Sequence, residues 1–364
     1  MKVLILTNHQ LGLYKFRREL LERLVSDHHE VYVSVPEDRF TEDFKNLGCE
    51  VLINECLDRR GTNPVKDLKL AGYYRTILKK IKPDVVLTYT IKPNVYGGLM
   101  CGRSRIPFIA NVTGLGTAIH NGGLMQKVTL FLYRMGLKKA DKVFFQNKAD
   151  HEFMLEHNVV KKQVTDILPG SGVNTDQFAY RPYPDESNGI IFTTIGRIMK
   201  DKGIDEILAA AEVIRNKYPN TVFRLIGDFD EGYEKKIKEL DERGIIEYLG
   251  FKEDVRDYVS ESHAILHASY HEGMSNVLLE AASMGRPVIA TDVPGCIDTY
   301  DPGVSGIPFK AQDSQSLINA VEEFLSLSME QKEAMGRAGR EKMEKEFSRK
   351  IVIEKYLDNI SKVG

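Results

Sequence analysis

Apolar and polar positions along the chain follow two alternating rhythms. Short apolar runs, VLIL (3–6), VYVSV (31–35), VVLTY (85–89), PFIANV (107–112) and KVFFQ (142–146), read as buried strands. Between them, apolar residues recur at helical spacing from Phe16 to Ser26 and in VKDLKLAGYYRTILKKIK (65–82), which Pro83 ends. Such alternation predicts a parallel sheet wrapped by helices. At AYRPYPDESNG (179–189) apolar content falls and turn residues cluster, so a linker is expected there. The rhythm restarts with strands at IIFTTIG (190–196), TVFRLIG (221–227), EYLG (247–250), AILHAS (264–269) and PVIATDV (287–293). Helices are expected at 204–217, 233–243, 253–260 and from near Asn276, and three more segments rich in Glu and Lys follow Ser314.

Two doubly wound stretches in 364 residues predict an α/β protein of two Rossmann-like domains facing each other across a cleft. No GxGxxG follows the first strand, so the usual dinucleotide fingerprint is absent. Composition is that of an ordinary soluble protein, 42% hydrophobic and 28% charged. Cys49, Cys56, Cys101 and Cys296 have no metal-site spacing and read as reduced thiols of a cytoplasmic protein. The opening MKVLILTNHQ reads as a first strand, not a signal peptide. The longest uncharged stretch, Ile106 to Gln126, is too broken by glycine, asparagine and histidine to read as a membrane span.

The net charge of −2 hides an asymmetry: residues 1–180 carry 26 basic and 19 acidic side chains, residues 181–364 carry 24 and 33. Between Arg59 and Lys139 there are 15 basic residues and only two acids, Asp67 and Asp84. The basic half should face something anionic.

Ligands of open α/β sheets sit beyond the carboxyl ends of the strands, and three loops fall there. In GRIMKDKG (196–203), Arg197 and Lys202 flank a loop that opens a helix, an arrangement suited to a diphosphate. A solvated loop with two surface cations is an even alternative on spacing alone. In HEGMSNVLLEAASMG (271–285), Ser275 or Asn276 can cap a helix whose first backbone N–H groups are free for phosphate or sugar oxygens. Glu280, about one turn into that helix, can accept from two vicinal hydroxyls such as a ribose offers, and Glu272 can reach a sugar. The alternative for Glu280, a surface acid, is weakened because LLEAASMG is apolar nearly all round. In GFKEDVRDYV (250–259), backbone groups of Phe251 and Lys252 can pair with a base edge, or form an ordinary loop.

GRIMKDKG, GFKEDV and HEGMSNVLLEAASMGRPVIATDVPG, in that order, resemble the donor-binding domain of family 4 retaining glycosyltransferases of GT-B fold. Glu272 and Glu280 match that family's E-x7-E motif, and ILPGSGVNTDQF (167–178) is similar to its boundary motif. TGLGT (113–117), the NHQLGLYKFRREL loop (8–20) and the TIKPN turn (90–94) look most like bacterial members that extend sugars on undecaprenyl diphosphate. The resemblance implies an acceptor- and membrane-facing domain at 1–179 and a donor domain at 188–345, with a last helix (346–364) crossing back onto the first.

It also implies roles. Arg197 and Lys202 would hold the UDP diphosphate and stabilise the leaving group. Glu280 would bind ribose, and Glu272 would contact the donor sugar, the three catalytic candidates being Glu272, Arg197 and Lys202. Gly196, Phe251 and Lys252, with Gly273, Met274, Ser275, Asn276 and Val277, would complete the donor seat. Gly12, in the loop after the first strand, would approach the diphosphate from the other domain. Configuration would be retained, no cofactor or metal would be needed, and the cationic clamp would stand in for Mg²⁺. Two features depart from the family: Leu11-Gly12-Leu13 replaces a Gly-Gly pair, and Thr113 stands where many members have His, with His120 nearby.

Tyr14, Lys15, Arg17, Thr113 and Gly114 are the acceptor-side candidates, with Lys15 or Arg17 expected to hold an acceptor diphosphate, and a plain helix-surface role as an even alternative. LMQKVTLFLYRMGLKK (124–139) is a basic amphipathic segment able to lie on an anionic lipid surface; for this helix alone, packing of its apolar face on the sheet is the favoured reading, whereas the whole basic region favours membrane contact. The expectation is an enzyme peripheral on the cytoplasmic membrane face. It would move an N-acetylhexosamine, GalNAc or GlcNAc, from a UDP-sugar to an undecaprenyl-diphosphate-linked saccharide in surface polysaccharide or glycoprotein glycan synthesis. No nucleic-acid partner is expected. The alternatives are a sugar-nucleotide epimerase of the same fold, transfer to a soluble acceptor, and a nucleotide-sugar-binding regulatory module.

Overall fold

Every apolar run above forms a strand in the computed structural model, which describes residues 1–56, 63–116, 119, 122–187 and 189–363. His120 lies outside the described residues. The chain divides into two compact units: Met1–Ser171 joined by the chain from Val352 onward, and Gly172–Ile351.

The first unit holds β1 (Lys2–Leu6), β2 (Glu30–Val35), β3 (Glu50–Ile53), β4 (Val85–Tyr89), β5 (Phe108–Val112), β6 (Lys142–Phe145) and β7 (Thr165–Ile167). They form one parallel sheet in the order β3-β2-β1-β4-β5-β6-β7. The second unit holds β8 (Ile190–Ile195), β9 (Thr221–Ile226), β10 (Glu247–Tyr248), β11 (Ala264–His267), β12 (Val288–Thr291) and β13 (Gly306–Phe309), parallel in the order β10-β9-β8-β11-β12-β13. In each sheet the order reverses at the first strand, β1/β4 and β8/β11, which is where such sheets open a ligand crevice. Burial on both faces explains why the central strands read as unbroken apolar runs; β4 and β5 are buried throughout. The strands the pattern missed are short or at edges. β7 has three residues, and β13 contains Pro308, which only an edge strand tolerates.

Two boundaries differ from expectation. The first helix spans Gln10–Ser26, six residues earlier than Phe16, because Arg17 stands on the buried face among Leu13, Leu20, Leu21 and Leu24 and breaks the apolar period. Gly12 therefore lies in a helix, not a loop. The stretch 179–187 is not a free linker but belongs to the second unit. The guanidinium of Arg286, fully buried, donates to the carbonyls of Pro182 (2.7 Å), Ser260 (2.9 Å), Gly285 (3.1 Å), Arg181 (3.2 Å) and Val259 (3.2 Å). Tyr183 Oη donates to His263 O at 2.9 Å and Lys332 Nζ to Glu186 Oε1 at 2.7 Å. At the other end, the helix Arg349–Val363 places Val352, Tyr356 and Ile360 in the first unit's core with Ile5, Leu24 and Leu87.

Candidate active site

The loops leaving β8, β9 and β11 are neighbours because their strands are. Gly196 N donates to Ile226 O at 2.9 Å, and Gly227 N to Gly250 O at 3.0 Å, which ties GRIMKDKG to the loops carrying Asp228 and Phe251. Gly203, at φ +69°, begins the helix Ile204–Lys217, and a Cβ there would stand 2.1 Å from Ala268 O. Tyr270 N donates to Asp201 O at 2.9 Å on the same contact. The final glycine of GRIMKDKG thus lets its loop lie directly on the chain between β11 and Glu272.

That packing delivers Lys202 to Glu272. Lys202 Nζ donates to Glu272 Oε1 and, at 3.4 Å, to Ser269 Oγ; the two charged side chains are 25% and 16% exposed. His267 Nε2 lies 3.2 Å from the same Glu272 oxygen and 3.1 Å from Ser275 Oγ. Burial alone would raise the Glu272 carboxyl pKa; Lys202 and His267 overcome it and hold the group well below the usual carboxylate range. Glu272 is therefore a stable anion, unsuited to donating a proton near neutrality.

Ser275 is the N-cap of the helix Asn276–Ser283, its hydroxyl accepting from Leu278 N at 3.4 Å. Ser275 N donates to Gly295 O at 2.8 Å, and a Cβ on Gly295 would come within 2.5 Å of Glu272 O, so the VPG turn after β12 pins the Glu272–Gly273 backbone from behind. Met274 is buried, Gly273 and Val277 half-buried, and Asn276 Oδ1 is buried without a hydrogen-bond partner. Glu280 is half-buried on a helix whose Leu278, Leu279, Ala281, Ala282 and Ser283 are buried. Phe251 is exposed, and Lys252 Nζ lies 5.6 Å from the Tyr258 ring centroid.

Arg197 has a different acid for its partner. Its guanidinium is paired with Asp230, in the loop after β9. Asp228-Phe229-Asp230 is an Asp-x-Asp segment that the metal-free reading overlooked. His267 was also missed, because AILHAS reads simply as a strand; its place at a strand's carboxyl end was the available signal.

The family described as "Glycosyl transferases group 1" matches residues 177–342, and the family described as "Glycosyl transferase 4-like" matches residues 2–147. The chain is a family 4 glycosyltransferase of GT-B fold. It is 25% identical to the N,N'-diacetylbacillosaminyl-diphospho-undecaprenol alpha-1,3-N-acetylgalactosaminyltransferase of Campylobacter jejuni, over 87% of each chain. It is 24% identical to the UDP-Gal:alpha-D-GlcNAc-diphosphoundecaprenol alpha-1,3-galactosyltransferase of Escherichia coli, over 72% of this chain and 71% of that one. In fold it is similar to Anabaena HepE, solved in complex with UDP and glucose, with a TM-score of 0.79 at 17% identity over 99% of both chains.

In the glycosyltransferase's first unit the structure revises the acceptor-side expectations. Arg17 is 4% exposed, its guanidinium 5.5 and 5.6 Å from the ring centroids of Tyr89 and Tyr356, and it donates to Phe16 O at 2.9 Å. It joins the C-terminal helix to β4 instead of offering itself to a diphosphate. Tyr14 is stacked on Phe40 with centroids 5.0 Å apart. Lys15 is exposed, Gly12 is in the helix's first turn beside His9, and Thr113 and Gly114 (φ +134°) follow β5.

Proposed function

We propose that this glycosyltransferase moves a sugar from a UDP-sugar to a lipid-diphosphate-linked saccharide, with retention and without a metal. The observation that carries the donor reading is the Lys202–Glu272 pair, set beside the capped start of the helix that bears Glu280. In this reading Lys202 and Arg197 take the diphosphate, and the helix N-terminus adds backbone N–H groups. Glu280 takes the ribose hydroxyls. Glu272, released from Lys202, takes a hydroxyl of the donor sugar while His267 keeps its orientation. The leaving UDP gains negative charge as the glycosidic bond breaks, and two cations stabilise it more in the transition state than in the ground state. Fixed cations near the leaving oxygens do what a divalent ion does elsewhere.

The lipid-linked acceptor is supported by the two relatives whose names specify undecaprenyl diphosphate acceptors. An N-acetylhexosamine is the donor sugar favoured by the first of them. A peripheral place on the cytoplasmic membrane face is supported by the first unit. Among the described residues no helix is long and apolar enough to cross a membrane. Yet the helix Gly123–Leu137 has apolar residues on both faces. Thr129, Leu130, Tyr133 and Leu137 are buried, while Leu124, Met125, Val128 and Phe131 are exposed. Val65 and Leu68 are exposed at the start of the helix Pro64–Ile81. Crossover helices of a parallel sheet begin at its carboxyl edge, so Leu124, Met125, Val65 and Leu68, near the starts of their helices, share that edge with Lys66, Lys69 and Lys127. Apolar insertion with a basic rim suits an anionic lipid surface.

One assay decides the class. The enzyme is incubated with labelled UDP-sugars and a bacterial lipid extract. Label entering the organic phase is the expected result; an interconverted UDP-sugar would mean epimerisation, and no product at all would reduce the molecule to a binding module.

A further inference from the structure

The loop after β9 has no part in the donor seat described above, yet it is built against it. Ile198 N donates to Asp228 O at 2.8 Å and Asp230 N to Ile198 O at 3.2 Å, which zips the loop to the one leaving β8. Gly227 permits the approach, since a Cβ there would lie 1.8 Å from Gly196 O. Lys200 N adds a bond to Glu231 Oε2 at 2.9 Å. Fastened this way, Asp230 meets the Arg197 guanidinium; its own side chain is 18% exposed and that of Arg197 is 48% exposed. Strands β9 and β11 flank β8, so each neighbouring loop supplies one acid, Asp230 or Glu272, to one cation of the clamp.

We propose that Asp230 is a built-in counter-ion of the diphosphate clamp: its carboxylate competes with the nucleoside diphosphate for Arg197 and so promotes release of UDP after transfer. The inference rests on the reading of Arg197 as a diphosphate ligand. Guanidinium N–H groups that face a carboxylate cannot at the same time make the same forked bond to phosphate oxygens. A free cationic clamp would hold UDP, the product, as firmly as it holds the donor's diphosphate. A competing carboxylate lowers both affinities, and it matters most for the product, because phosphate charge grows as the glycosidic bond breaks and is greatest in UDP itself. Asp230 acts through Arg197 and is a positioning residue.

Asp230→Asn keeps size and shape and removes the charge. Calorimetry with UDP and with uridine, in EDTA and in Mg²⁺, compares the wild type, Asp230→Asn, Arg197→Ala and the double variant. An exposed ion pair of this kind shifts affinity by about two- to fivefold. Asp230→Asn should tighten UDP by that factor in EDTA, leave uridine unchanged, and lose its effect in the Arg197→Ala background. Unchanged or weaker UDP binding in Asp230→Asn, while Arg197→Ala still weakens it, overturns the counter-ion and leaves the donor reading standing. Weakening confined to Mg²⁺ also overturns it and makes Asp228-Phe229-Asp230 a metal-binding segment. UDP affinity untouched by Arg197→Ala overturns both. Asp230→Ser, tested alongside, guards against a folding defect in the first variant.

Discussion

Replacing Lys202 by Met tests the centre of the site. The side chain is 25% exposed and that of Glu272 16%, so the pair sits between the surface and the interior. Breaking a buried pair costs about 3–5 kcal/mol and an exposed one about 0–1. His267 continues to hold Glu272, which favours an intermediate cost of about 2 kcal/mol at pH 7. In a unit of this size that lowers the melting temperature by roughly 4–8 °C. The sign of the pH dependence follows from the Glu272 carboxyl, whose folded pKa lies below its ordinary value of 4.5. A depressed carboxyl pKa contributes stability that is complete above the unfolded value and is lost as pH falls towards the folded one. The gap between wild type and Lys202→Met should therefore be constant above pH 4.5 and close progressively below it. Urea unfolding followed across pH 2.5–7.5, monitored by a probe in the second unit, measures it. The same variant should bind UDP roughly 10- to 100-fold more weakly, the loss of one charge-assisted bond to phosphate. A stability gap that stays the same size down to pH 2.5 would refute the electrostatic account, because a mere packing defect does not titrate.

Other substitutions probe separate parts of the argument. Glu280→Ala should weaken UDP and uridine by a similar factor of about ten and leave inorganic pyrophosphate binding alone, read by competition calorimetry; unchanged uridine affinity would contradict the ribose assignment. Gly203→Ala imposes a left-handed side chain and a 2.1 Å contact with Ala268 O, so a loss of about 2–4 kcal/mol with weakened UDP binding is expected from chemical unfolding and calorimetry. Arg286→Met strands five carbonyls and should cost about 3–5 kcal/mol in the second unit's unfolding free energy, with UDP affinity of the still-folded fraction intact. Phe131→Glu should reduce sedimentation with anionic liposomes at low salt without altering hydrolysis of the UDP-sugar; unchanged sedimentation would remove that helix from the membrane face.

Much of the candidate site was legible in the chain because its parts are local. An apolar run followed by Gly-Arg or by Glu-Gly-Met-Ser-Asn and a helix states where a strand ends and what chemistry stands beyond it. Glycines at 203, 227 and 295 announce close backbone approach, though not to what. Gln10–Ser26 shows the limit of that approach: a helix with an arginine on its buried face does not look amphipathic until its partner is known.

By itself the sequence determined the alternation of strand and helix, the two sheets, and the order of the motifs, because each depends on residues within a few positions of one another. Tertiary structure decided the pairings. Arg17 was drawn inward by Tyr89 and Tyr356, and the stretch 179–187 was bound into the second unit by Arg286. Arg197 was given to Asp230 and Lys202 to Glu272. A charged side chain's partner is chosen by which strands lie side by side, and strand order is a property of the whole sheet, not of any segment in it.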